Sequence, residues 1–180
     1  METNGVLLAQ SENLEVGRVQ YKPNLYIIMG ETNMKKSSTI RCLTGIHNKN
    51  TFGIKHQNGN VRPTFVLASS LQEAKISEND FVVLVNGQKK HHMDICLCLR
   101  INPCRPQGSN TTFNSGANYI RYFMNLGWNI VEIVDFQESK NMITLGNMPQ
   151  GISTHTIYDT NTKTSNEIAK IIRDNYFKWE

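Results

Sequence analysis

No run of apolar residues in this sequence approaches the roughly 18 that a membrane-spanning helix requires, so membrane insertion is not expected. Cysteine is scarce. The four present, Cys42, Cys96, Cys98 and Cys104, do not form the dense framework of a small secreted domain. The opening Met1-Glu-Thr-Asn-Gly5 lacks a basic region followed by an apolar core, which excludes a secretory signal from the expectations. A reducing cytoplasm is the expected compartment. There is no proline-rich linker, internal repeat or low-complexity block. Nor is there an excess of one charge: 19 basic residues face 15 acidic ones, for a net charge of +4. The densest basic clusters are Lys35-Lys36 and Lys89-Lys90-His91-His92, too small to suggest a nucleic-acid-binding face.

What remains is an ordinary globular composition, 39% apolar over 180 residues. Residues 1–24 hold two short apolar stretches ended by Pro23-Asn24 and read as a lead-in or edge hairpin. Residues 25–180 read as one domain. Leu25–Met29 is a nearly continuous apolar run, as expected of a parallel strand buried on both faces. Ser37–Leu43 suits a short helix closed by Thr44-Gly45. Residues 46–63 are polar and predict a long surface loop. Thr64–Ala68 predicts a second strand, and Met93–Ile101 a third.

Ser77 to Asp80 is a helix-start signal, although Phe81–Val85 after it suits helix or strand equally. Ser115–Leu126 predicts a helix, Asn129–Phe136 a strand, Ile152–Tyr158 another strand, and Thr164–Trp179 an amphipathic helix. Its stripe of Ile168, Ile171 and Ile172 reads as core packing. This alternation predicts an α/β fold of three layers: a mostly parallel sheet of about five strands with helices on both faces.

The chemistry is concentrated at Gly30–Ser38, Gly-Glu-Thr-Asn-Met-Lys-Lys-Ser-Ser. A strand feeds this loop and a helix leaves it, so its backbone N–H groups and the helix dipole favour an anion. The nine residues Gly30, Glu31, Thr32, Asn33, Met34, Lys35, Lys36, Ser37 and Ser38 are the candidate ligand-binding set. The pattern resembles the Walker A loop of P-loop NTPases, G-x-x-x-x-G-K-[ST], with Lys35 where the second glycine belongs.

The resemblance covers about 22 residues, Asn24 to Gly45, and the α/β layout. It implies that ATP or GTP binds, that Lys36 meets the terminal phosphates, and that Ser37 ligates Mg²⁺. Lys35 opens three alternatives: a reshaped cradle, a second cation facing the anion, or the loss of tight nucleotide binding.

A catalytic P-loop also needs an acid at the carboxyl end of a neighbouring strand. Met93–Ile101 carries Asp94 at its start, the wrong end. Asn129–Asp135 ends in Asp135, which becomes the candidate second metal ligand, with a turn or cap role as the competing reading. Arg100 and Arg105 frame a loop at a strand's carboxyl end and are candidate anion clamps, or simply surface charges. Small nucleotide kinases have this layout. Cys96 and Cys98, with Cys104 and His91 or His92, lack knuckle spacing for zinc and read as core. Two functions follow as expectations. One is a phosphoryl-transfer enzyme, an NTPase or small kinase. The other is a degenerate, non-hydrolysing module that acts through a protein partner.

Overall fold

Leu25 to Met29 are almost entirely inaccessible to solvent because they form the middle of a sheet covered on both faces. The computed structural model describes residues 22–138 and 149–180. In it β1 (Asn24–Met29) pairs in parallel with β4 (Asp94–Leu99) on one side and β5 (Asn129–Gln137) on the other. Outside β4 come β3 (Val61–Ser70), parallel, and β2 (Lys49–Lys55), antiparallel. Outside β5 comes β6 (Thr154–Tyr158), parallel. The order is β2-β3-β4-β1-β5-β6. The fold is α/β, with six mostly parallel strands rather than about five.

The extra strand is β2, which lies where a surface loop was expected. Its exposed polar residues conceal a strand that buries only Thr51 and Ile54 and has one neighbour in the sheet. An edge strand needs little apolar sequence, because one side of it faces water.

Helix α1 (Lys36–Thr44) packs on one sheet face with α4 (Ser165–Ile171) and the π-helical turn Ile172–Phe177. Ile40, Leu43, Ile168 and Ile172 meet Tyr26, Ile28, Val134 and Phe136 there. On the other face α2 (Glu78–Asn86) and α3 (Gly116–Asn125) pack Phe81, Val85, Tyr119, Ile120 and Phe123 against Leu25, Ile27, Met29 and Ile133. Each such side chain contributes about 1.5–3 kcal/mol by leaving water.

The ambiguous Phe81–Val85 is helical because Ser77 and Asp80 form a reciprocal capping box at its start. Gly45, with φ +71°, ends α1 in the left-handed turn that glycine adopts without strain. The lead-in expected over residues 1–24 lies outside the described residues apart from its last three, and Asn24 opens β1. Among the described residues no helix is long and apolar enough to cross a membrane.

At the amino end of the sheet Asp94 is fully buried. Arg62 holds it with Nε on Oδ2 and Nη2 on Oδ1, both at 2.7 Å, and Asn24 Nδ2 donates to Oδ1 at 2.9 Å. The acid at this end is therefore structural. The four cysteines are free; burial pushes the Cys98 thiol up to about 12, so it stays protonated.

Candidate functional site

The chain leaves β1 at Gly30 and turns at Thr32 and Asn33. A Cβ at Gly30 would stand 3.1 Å from Phe136 Cβ and 3.3 Å from Met34 Sδ, so a side chain would fit only if these neighbours gave by a few tenths of an ångström. Met34 folds under the loop, where its sulfur accepts the Glu31 N–H at 3.1 Å. Asn33 and Lys35 both take left-handed backbone conformations, with φ of +66° and +58°. The carbonyl of Lys35 then accepts the Thr39 N–H at 2.8 Å, which starts α1 with no side chain capping it. The result is a cavity of about 450 Å³ lined by Thr32 to Ser38 and by Glu73.

Lys36 is only 3% exposed. Its Nζ donates to the Glu31 carbonyl at 2.5 Å, and among the described residues it forms no ion pair. Burial, the largest influence, lowers its pKa below the ordinary lysine value; the charges of Glu73 and Glu31 oppose this, and that of Arg100 adds to it. A buried ammonium with one carbonyl partner is expensive to keep, and an anion in the cavity would relieve that cost. Ser37 is half-buried with its Oγ 4.0 Å from Cys98 Sγ, and Ser38 is exposed.

Lys35 does not point at the cavity with its ammonium. Nζ reaches outward to the carbonyls of Thr160, Asn161 and Lys163 at 3.1, 3.0 and 2.6 Å. Its backbone takes the left-handed conformation just before α1. The expectation of a second cation facing the anion is corrected here: Lys35 lines the cavity, while its charge is spent on the β6–α4 loop.

The expected metal pair, Ser37 and Asp135, is not brought together. Side chains alternate along a strand. Ile133 packs with α2 and α3, whereas Val134 and Phe136 pack with α1 and α4, so Asp135 shares the face away from α1. It is fully buried: Gln137 Nε2 donates to Oδ2 at 2.6 Å, and Oδ1 has no partner among the described residues. Burial raises its carboxyl to about 6; the Gln137 hydrogen bond opposes the rise and the Glu31 charge adds to it.

The two arginines have different settings. Arg100 binds the Glu31 carboxylate at 3.2 Å, which places it beside the loop. Arg105 is exposed and folds back on its own loop, with Nε on the Ser109 carbonyl and Nη2 on Asn110 Oδ1.

Glu73 escaped the sequence reading. It lies three residues beyond β3, whose last residue pairs with Cys98, so it arrives opposite Ser37 through a strand two places from β1. The available signal was an acid soon after the apolar run Thr64–Ala68. Mg²⁺ commonly takes one or two carboxylates, substrate phosphates and waters. Glu73 and Ser37 line the same cavity. A cage made of protein alone is not on offer: among the described residues, no group of three His, Cys, Asp or Glu could hold a metal. Comparison with family models and with characterised proteins finds no match to this chain.

Proposed function

We propose that this protein binds a nucleoside triphosphate, ATP or GTP, with its phosphates in the cavity lined by Thr32 to Ser38. The observation that carries this reading is Lys36, a buried ammonium at an anion-ready helix start with one carbonyl for a partner. The arrangement is that of a P-loop in which Lys35 replaces a glycine without filling the cradle. Lys36 would leave the Glu31 carbonyl for the terminal phosphates. Ser37 and Glu73 would hold Mg²⁺, which when bound neutralises charge on the phosphate oxygens. The reaction class is phosphoryl transfer, by an NTPase or a small kinase.

A second reading is a nucleotide-holding module without turnover that works through a protein partner. It is favoured by the shortage of acids: among the described residues, Glu73 is the one carboxylate lining the cavity. Calorimetry with ATP and GTP, with and without Mg²⁺, tests binding for both readings. Lys36→Ala should abolish it while leaving the melting transition cooperative. Wild-type affinity in that variant would remove Lys36 from the site and the proposal with it. Single-turnover kinetics then separate the readings. A rate well below the 1–100 s⁻¹ of kinases (roughly, as a class) is expected for the isolated chain.

A further inference from the structure

Two cations converge on one residue of the loop. Lys36 holds the carbonyl of Glu31, and its carboxylate is taken on the other side by Arg100 and Asn102. Arg100 Nη2 donates to Oε2 at 3.2 Å. The backbone N–H and Nδ2 of Asn102 donate to Oε1 at 3.2 and 2.7 Å.

This receptor is held rigidly. The fully buried Gln72 clamps the Arg100 backbone from both ends, accepting its N–H at 3.1 Å and donating to its carbonyl at 3.1 Å. The Gly116 N–H donates to the same carbonyl at 2.8 Å. The receptor is also not filled: Arg100 Nε is buried without a partner among the described residues. Three N–H groups therefore converge on the two carboxylate oxygens, and Arg100 Nε on the same guanidinium is left with none. A tetrahedral oxyanion, with three oxygens free to accept, would satisfy more of them. The Glu31 carboxylate can leave by side-chain rotation, which does not require the loop backbone to move.

We propose that Arg100 and Asn102 form a second anion subsite for the phosphoryl group of a second substrate, and that the Glu31 carboxylate occupies it in competition. The role of that substrate as acceptor or donor rests on the phosphate-cradle reading above; the existence of the subsite does not.

Amide NMR titration with inorganic phosphate reads the two sites separately, the subsite at Asn102 and the cradle at Ser37 and Ser38. In Glu31→Gln the Asn102 backbone and side-chain amides should shift with an apparent affinity at least about tenfold tighter than in the wild type, since the competing charge is gone. The gain should vanish in Glu31→Gln combined with Arg100→Gln. Acetate, titrated in parallel, should act more weakly than phosphate. If Glu31→Gln melts below the assay temperature, Glu31→Asp, which withdraws the carboxylate by one methylene, should give a smaller gain of the same sign. Silent Asn102 amides in the charge-removing variant, an equal response in the wild type, or stronger binding of acetate would each overturn the proposal. Loss of the Ser37 and Ser38 response alone would instead count against the cradle.

Discussion

Lys35 Nζ donates to the carbonyl of Lys163 at 2.6 Å, although the two residues stand 128 positions apart in sequence. With the Thr160 and Asn161 carbonyls, this bond ties the loop before α1 to the turn that starts α4. Lys35→Gly would relieve left-handed strain of about 1 kcal/mol and lose three charge-assisted hydrogen bonds that are partly exposed. We expect a net loss of about 1–2 kcal/mol in chemical denaturation, with triphosphate affinity changing much less. A gain in stability would mean that the three bonds are not made in solution.

Lys36 should show the opposite trade. Its folded pKa lies below its unfolded value, so in the window between them the unfolded chain binds more protons and stability rises with pH. Lys36→Met keeps the stem and removes the buried charge. Without ligand, the variant should melt at or above the wild-type temperature, and the alkaline rise in stability should disappear. A variant that melts well below wild type would show that the ammonium is a structural tie.

The Asp135 carboxyl titrates near 6 in the fold, above the ordinary aspartate value. The folded state therefore holds the proton more tightly. The stabilisation from protonation is complete below the unfolded pKa and is lost as pH rises through about 6. Asp135→Asn should flatten stability between about pH 4 and 6 and raise it at pH 7 by about 1–3 kcal/mol. Thermal melts across that range will decide, and an unchanged pH profile would contradict the burial argument.

Metal dependence should follow the cavity and not the strand end. Glu73→Gln is expected to weaken the Mg²⁺ enhancement of triphosphate binding, because Glu73 lines the same cavity as Ser37. Asp135→Asn should leave that enhancement intact, since its side chain lies on the other face of the sheet. The reverse pattern in calorimetry would restore Asp135 as the metal acid.

The Arg62–Asp94 pair makes a stability prediction away from the site. Arg62→Ala leaves the fully buried Asp94 carboxylate with Asn24 Nδ2 and the nearby His56 but no guanidinium, and should cost about 3–5 kcal/mol in denaturant unfolding. A loss under about 1 kcal/mol would place the pair among exposed bridges.

The strand–loop–helix at Leu25–Gly45 was legible because its signals are local. A continuous apolar run predicts burial on both faces, and a glycine, a lysine and hydroxyls before a helix predict an anion site wherever the chain goes next. The helix caps at Ser77 and Gly45 were legible for the same reason. β2 was not, since an edge strand asks little of its sequence.

By itself, then, the sequence determined the α/β class, the buried central strand and the loop from it into the helix that begins at Lys36. Tertiary structure alone decided where charges meet. Lys35 spends its ammonium on carbonyls more than a hundred residues away. Glu73 enters the cavity because β3 lies beside β4, whose Cys98 stands next to Ser37. Asp135 leaves the site because strand alternation turns it to the opposite face. Strand order and side-chain parity come from how distant segments pair and pack, and local patterns of polarity do not encode those pairings.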